Sequence, residues 1–430
     1  MLARRDRSLK QLARKEWNGQ IKIVTGIRRC GKSTLLFDIF YKHLLDHGVA
    51  PGNVVRLALD ENRNEKYRDP SALAAFVRAR CTDPGQKYFI LIDEVQFAIT
   101  KDELRDRDKP VRLYGALNEF LHAHNIDVYV TGSNSKLLSK DVSTEFRGRG
   151  DVIHVGPLTF AEYCEATGSD RYSAYEEYSV YGGMPRLLNL EAEEEKTNYL
   201  KGLFDEIYFK DIEERHAIKL PGILRDMTSS LCSSIGSLTN ANKLANTVRS
   251  VTGRKVDPET VSQYLSYLTD SFLFSKAERY DVKGKRYFEY PSKYYCTDVG
   301  LRNAYLGFRQ LEPTHIMENL IYNELKARGF SVDVGVVDAF ETNSQGKRTK
   351  KSLEIDFIAS KGIHKYYIQS AYAMADDEKQ RVELRPLLLV DDSFKKVVVS
   401  RSYGKSWFDE KGILRLGLMD FLLDEDSLDR

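Results

Sequence analysis

Eight consecutive residues, Gly26-Ile27-Arg28-Arg29-Cys30-Gly31-Lys32-Ser33, fit the pattern G-x-x-x-x-G-K-[ST] of a phosphate-cradling loop. Gly26 and Gly31 let the backbone curl until successive N–H groups face one anion. Lys32 brings a full charge for β- and γ-phosphates, and Ser33 offers a hydroxyl to a magnesium ion. Thr34 carries the chain onward into a helix whose positive end points at the same place. A second group lies downstream, where Phe89-Ile90-Leu91-Ile92 closes on Asp93-Glu94. Asp93 can hold magnesium, and Glu94 can orient and polarise an attacking water as a general base. Val128-Tyr129-Val130-Thr131 runs into Gly132-Ser133-Asn134-Ser135, so Asn134 or Ser133 could reach the γ-phosphate and that water. In Glu145-Phe146-Arg147-Gly148-Arg149-Gly150 either arginine could touch phosphate, in the same subunit or the next. Arg149 is preferred over Arg147, with a solvated turn as the plain alternative.

These groups need a sheet edge to meet on, and the sequence provides for one. The loop follows the apolar run Ile21–Thr25 and precedes Thr34–Phe40, which reads as a helix. Further strands are predicted at Asn53–Leu59, Tyr88–Ile92, Val128–Thr131 and Val152–Val155. Each is almost wholly apolar and separated from the next by amphipathic segments, the pattern of an α/β parallel sheet with both faces covered. A phosphate loop paired with a downstream strand ending in Asp-Glu points to a magnesium nucleoside triphosphatase with an extra strand between the two.

The strings I-V-T-G-I-R-R-C-G-K-S-T-L-L, F-I-L-I-D-E-V-Q, V-Y-V-T-G-S-N-S-K-L-L-S, F-R-G-R-G and V-G-P-L-T-F-A-E-Y resemble the AAA-type ATPases of archaea and bacteria that carry a C-terminal domain of unknown function (DUF4143-like). Y-G-G-M-P, I-Y-F-K-D-I and K-Y-Y-C-T-D-V-G-L-R-N-A extend the resemblance along nearly the whole chain. It implies a P-loop (AAA+-like) core, a helical lid, a winged helix and a nuclease-like C-terminal domain, with ATP and Mg2+ as cofactors. It also implies that Met184 and Pro185 could pack near the nucleotide base and that Arg186 could be a lid arginine. A helix–helix turn explains the same residues equally well.

A chain of 430 residues exceeds one ordinary core, so several domains are expected. The divisions are 1–160 for the ATPase core, 161–238 for the lid, 239–305 for the winged helix and 312–430 for the last domain. The 65 basic and 63 acidic residues nearly cancel, so any nucleic-acid surface must be local. Five scattered cysteines form no C-x-x-C pair, which argues against a disulfide framework or zinc knuckle and for a cytoplasmic home. No run approaches a membrane span, and the charged N-terminus does not read as a secretion signal.

In the middle region, Ala241, Leu244, Ala245 and Val248 share one helical face, as do Val261, Tyr264, Leu265 and Leu268. Asp257 suits an N-cap and Pro258 a first helical turn. A hairpin with the basic tip Asp281-Val282-Lys283-Gly284-Lys285-Arg286 follows. With Arg254 and Lys255 before the second helix, this is the layout that enters a DNA groove. The last region reads as helix, hairpin, strand, helix, strand, resembling the PD-(D/E)XK nuclease fold. Glu318 and Asp356 fit its acids. Gln369 stands where an acid belongs and Ala371 where the lysine belongs, and the sequence offers no substitute ammonium. A nuclease shape without nuclease activity is therefore expected. The basic run Gln345–Lys351 reads as a hairpin tip that is either solvated or in contact with phosphate.

The leading expectation is an ATP-binding, Mg-dependent AAA-type ATPase that moves its lid and winged helix. DNA and further copies of the chain could be partners, and no membrane is expected. Two alternatives are kept: a STAND-like regulatory switch that holds ATP with little turnover, and an ATP-dependent nuclease.

Overall fold

Five apolar runs become one parallel sheet in the computed structural model, which describes residues 3–100, 102–103, 111–132, 149–342, 348–373, 377–402 and 404–430. The strands are β1 (Ile21–Thr25), β2 (Val54–Ala58), β3 (Tyr88–Asp93), β4 (Ile126–Gly132) and β5 (Gly150–His154). Each expected strand is present, with small shifts at its ends. Their order is β2-β3-β4-β1-β5, and every pairing is parallel. β4 thus lies between the strand that feeds the loop and the strand that ends in Asp93. Helices Pro70–Arg80 and Arg112–His122 pack Leu73, Val77, Leu113 and Leu117 against Ile21, Ile90 and Val128, which is why these strands carry so few polar residues. The exception is Lys22, buried in β1 and ion-paired with Asp127, which also accepts from the Tyr129 hydroxyl at 3.1 Å.

Parallel pairing gathers all the carboxyl ends on one edge. Thr25 stands beside Gly132, and Ala58 beside Asp93. From β1 the chain passes through the loop into one continuous helical run, α-helical over Lys32–Thr34, wider π-type turns over Leu35–Phe40, and α-helical again over Tyr41–Asp46.

The chain divides into two units, one of residues up to Pro157 with Asp270–Phe272, the other of Leu158–Thr269 with Leu273–Arg430. The second unit opens with helices. Thr159 and Glu162 form a reciprocal cap on Phe160–Thr167, and Gly168 in the left-handed region ends it. The segment Tyr181-Gly182-Gly183-Met184-Pro185 is explained by a partner distant in sequence. Asp298 accepts from Gly183 N at 2.7 Å and from Leu301 N at 3.0 Å. A Cβ on Gly182 would fall 2.2 Å from the Asp298 carboxylate, and one on Gly300 would fall 1.8 Å from the Tyr181 carbonyl. Two of the strings that carried the family resemblance are therefore halves of one joint. Met184 is buried beside it, and the Arg186 guanidinium lies over the Tyr199 ring.

Further on come helix Pro221–Ser233, a bridge between Thr239 and Ser292, helices Ala241–Thr252 and Pro258–Asp270, and strands β6 (Phe274–Asp281) and β7 (Arg286–Cys296). The two expected helical faces are buried at Leu244, Ala245, Val248, Val261, Tyr264, Leu265 and Leu268. Asp257 caps the second helix through Thr260 N at 2.8 Å. Helix Pro313–Ala327 leads to β8 (Ser331–Thr342), β9 (Arg348–Lys361) and β10 (His364–Ala371), then helix Asp377–Leu388, β11 (Lys395–Ser400), β12 (Trp407–Phe408) and β13 (Leu414–Gly417). One eight-stranded sheet, ordered β12-β13-β11-β10-β9-β8-β6-β7, contains them all. β6 pairs in parallel with β8, so the hairpin and the C-terminal strands, set apart at 305 and 312 in sequence, share one sheet.

Candidate functional site

The loop after β1 takes the backbone through three positive φ angles, 147° at Gly26, 64° at Arg29 and 95° at Gly31. Gly26 could carry no side chain, since a Cβ there would lie 1.9 Å from the Val155 carbonyl oxygen. The same oxygen accepts from the buried Cys30 thiol at 3.2 Å. Arg5 adds a third fastening. Its guanidinium donates to the carbonyls of Cys30 (3.2 Å), Gly156 (2.6 Å) and Pro157 (3.1 Å). The loop is thus tied to the segment by which the chain leaves β5.

Lys32 is only 4% exposed. Its Nζ donates to the carbonyls of Gly26 and Ile27, both at 3.0 Å. Asp93 and Ser33, predicted to share a magnesium ion, are brought together, the Ser33 hydroxyl lying close enough to the Asp93 carboxylate to favour its ionised form. The Thr131 hydroxyl, from β4 between them, donates to the same carboxylate and accepts from Glu94 N at 3.1 Å. Burial pushes the Asp93 carboxyl above its ordinary range, and the Ser33 and Thr131 hydroxyls and the Lys32 charge partly offset this. Glu94 sits at φ 55°, a left-handed conformation uncommon for a glutamate. Burial first, then the neighbouring Asp93 charge, raise its carboxyl, while the Gln96 amide donates to it.

Hydroxyl and carboxylate oxygens at one sheet edge are the donor set a magnesium ion prefers, completed by phosphate and water rather than by a cage of protein ligands. As it stands, no group of three or more His, Cys, Asp or Glu among the described residues is placed to hold a metal by itself. Gln96 Oε1 is buried beside Glu94 with no protein donor, which suits a place where a water or ligand donor sits. The residues present therefore fit a magnesium-bound triphosphate.

Of the remaining predicted loop residues, Ile27 is buried, Arg28 faces Glu94 closely enough to favour its ionised form, and Arg29 is exposed. Ser133, Asn134 and Arg147 lie outside the described residues. Arg149 stands apart from these groups. Its carbonyl accepts from Ile21 N at 2.9 Å, at the beginning of β1, whereas the phosphate loop leaves the end of that strand. Five residues of strand, roughly 16 Å, separate the two edges. Arg149 is exposed there. Thr131 and Arg5 were missed. Thr131 had a local signal, as the polar residue ending an otherwise apolar strand, but Arg5 had none.

A second polar cluster lies in the other unit. Lys293 Nζ, from β7, is 2.9 Å from Glu318 Oε1, 2.7 Å from Glu354 Oε1 and 3.7 Å from Asp356 Oδ1. The sequence offered no substitute for a nuclease lysine on the third strand, yet an ammonium is present, delivered from a strand well upstream. Gln369 is engaged elsewhere, its Oε1 accepting from Asp356 N at 3.4 Å and its Nε2 donating to Glu383 at 3.1 Å.

Comparison with known proteins divides the chain similarly. A family described as AAA domain (AAA_14) matches residues 18–164. One described as domain of unknown function (DUF8612) matches residues 172–312, in place of the DUF4143-like domain expected from sequence. An "Uncharacterized protein" of Haemophilus influenzae is 32% identical over 426 residues, covering 97% of this chain and 98% of its own. A similar protein of Methanocaldococcus jannaschii is 27% identical over 412 residues, covering 88% of this chain and 84% of its own. Among solved structures, the Orc1 protein of Aeropyrum pernix in complex with DNA aligns over 71% of this chain and 93% of its own at 12% identity, with a TM-score of 0.29. Cdc6p of Pyrobaculum aerophilum aligns over 74% and 96% at 13% identity, also at 0.29. No helix among the described residues is long and apolar enough to cross a membrane.

Proposed function

Since this chain belongs to one family with the Haemophilus influenzae protein, and its residues 18–164 match an AAA domain, we propose that it is a magnesium-dependent ATPase whose cycle moves the helical lid and winged helix. The observation that carries this reading is the shared carboxylate. Asp93 accepts from the Thr131 hydroxyl on the β4 side and is approached by the Ser33 hydroxyl on the loop side, at the edge where Glu94 follows. The loop amides bind the phosphates, and the Lys32 ammonium moves from two neutral carbonyls to the β- and γ-phosphate oxygens. Ser33 and Asp93 would hold magnesium, which supplies positive charge to those same oxygens. Glu94, with its raised carboxyl, takes a proton from the attacking water. Thr131 fixes its backbone and Gln96 its carboxylate.

The exposed Arg149 supports a homo-oligomeric arrangement in which its guanidinium serves the pocket of a neighbouring copy. The run helix, bridge, two helices and hairpin across residues 221–296 supports the winged-helix reading. DNA contact there would be weak and salt-sensitive. Arg254 is paired with Asp226 at 2.9 Å, Arg286 with Asp281 at 3.5 Å and Lys350 with Asp338 at 2.7 Å. Lys255, Lys283 and Lys285 are the exposed cations that remain of the cluster.

Steady-state phosphate release from Mg-ATP tests the reading. Glu94→Gln should lower turnover by about 10²–10⁴-fold while ATP still binds. Absence of release by the wild-type protein, with or without DNA, would overturn turnover and favour a switch that merely holds ATP.

A further inference from the structure

The acidic cluster around Lys293 has no part in the ATPase reading, and its composition is unusual. Glu318 comes from helix Pro313–Ala327, Glu354 and Asp356 from β9, and the single cation from β7. Lys293 is 3% exposed, and Glu318 and Asp356 are each 9% exposed. Three carboxylates around one ammonium leave an excess of negative charge in a place with little water. Burial and the neighbouring Glu318 accordingly push the Asp356 carboxyl up, while the ammonium of Lys293 is favoured by all three acids.

The surroundings close the cluster around something small. The Tyr295 hydroxyl donates to Glu318 Oε1 at 2.7 Å, and Ser370 N donates to Asp356 Oδ2 at 2.8 Å. Gly236 passes so near that a Cβ there would lie 2.9 Å from Glu318 Oε1. A divalent ion held by these oxygens would need them at roughly 2.0–2.6 Å from its centre. The Lys293 nitrogen, 2.7–2.9 Å from two of them, fills that volume. Ammonium and metal cannot both be there.

We propose that the Lys293 ammonium stands in the place of a divalent cation in a latent metal site formed by Glu318, Glu354 and Asp356. The second unit keeps the oxygen ligands of a metal-dependent hydrolase, and the tethered cation closes them. The cluster thereby clasps β7 to β9 and to helix Pro313–Ala327, and no metal-activated water forms in it.

The test is Mn2+ binding to the full chain without nucleotide, in an Asp93→Asn background that silences the ATPase edge, followed by calorimetry and thermal unfolding. Lys293→Ala should bind Mn2+ at least about tenfold tighter than its parent, since a unit charge no longer occupies the ion's place. The gain should vanish when Asp356→Asn is added. Lys293→Met, which keeps most of the stem, is the second variant should the first not fold. The parent itself decides if neither folds: equal Mn2+ shifts of its melting and that of Asp356→Asn support the proposal. A parent site that depends on Asp356, no gain in either lysine variant, or Mn2+-dependent DNA cutting that requires Lys293 would each overturn it.

Discussion

Lys32 and Lys293 are both almost fully buried, both lie near carboxylates, and they are held in opposite ways. The Lys32 ammonium donates to two main-chain carbonyls, while a neighbouring carboxylate, Asp93, accepts from the Thr131 hydroxyl. The Lys293 ammonium donates to the carboxylates themselves. Carbonyl dipoles solvate a cation without cancelling its charge, so the field of Lys32 remains available to an incoming anion. Carboxylates cancel it, and Lys293 has nothing left to offer. A buried lysine is thus a binding group or an internal clasp according to whether its partners are neutral or charged.

Matched substitutions would break this contrast most directly. Lys293→Met should cost about 3–5 kcal/mol of stability, because three carboxylates lose their counter-charge, and should lower the melting temperature. Lys32→Met should leave melting nearly unchanged and weaken Mg-ATP binding by ~30-fold or more. Equal losses of melting temperature in both would show that the two lysines are used alike. The second effect is one of pH. Glu94 must be ionised to accept a proton, and its carboxyl lies above the ordinary 4.5. The ATPase rate should therefore rise with pH through that raised value and level off above it. Lys293→Met should leave this acid limb in place, and Glu94→Gln should abolish it. The smallest effect concerns Thr131, whose hydroxyl serves both Asp93 and Glu94. Thr131→Val should lower kcat by about tenfold, as expected for one lost buried hydrogen-bond partner, and Thr131→Ser should restore it. An unchanged kcat in Thr131→Val would remove the β4 hydroxyl from the account.

The phosphate loop and Asp93-Glu94 were legible because each is contiguous, and because fully apolar strands announce a sheet covered on both faces. The pairing of those two motifs also implied a strand between theirs, which is β4. What escaped were contacts between residues far apart in sequence: Thr131 with Asp93, 38 residues away, Arg5 with Gly156, 151 away, and Lys293 with Glu318, 25 away. No local pattern marks such pairs. Arg149 was expected near the sheet edge, but sequence did not say which edge. That depends on the register that sets Gly150 beside Ile21. The pairing of β6 with β8 was hidden for the same reason, since a parallel pair needs a long connection and leaves no turn signal.

That pairing bears on how this part of the chain can be inherited. β6 is hydrogen-bonded to β7 on one side and β8 on the other. A gene segment beginning near codon 312 would encode β8 without its neighbour, leaving its row of amides and carbonyls open to any passing strand. Recombination could hand on the sheet closed along this side only by carrying residues from upstream of 274. The hairpin and the strands behind it are then one structural unit, in which Lys293 lies among the acids it neutralises.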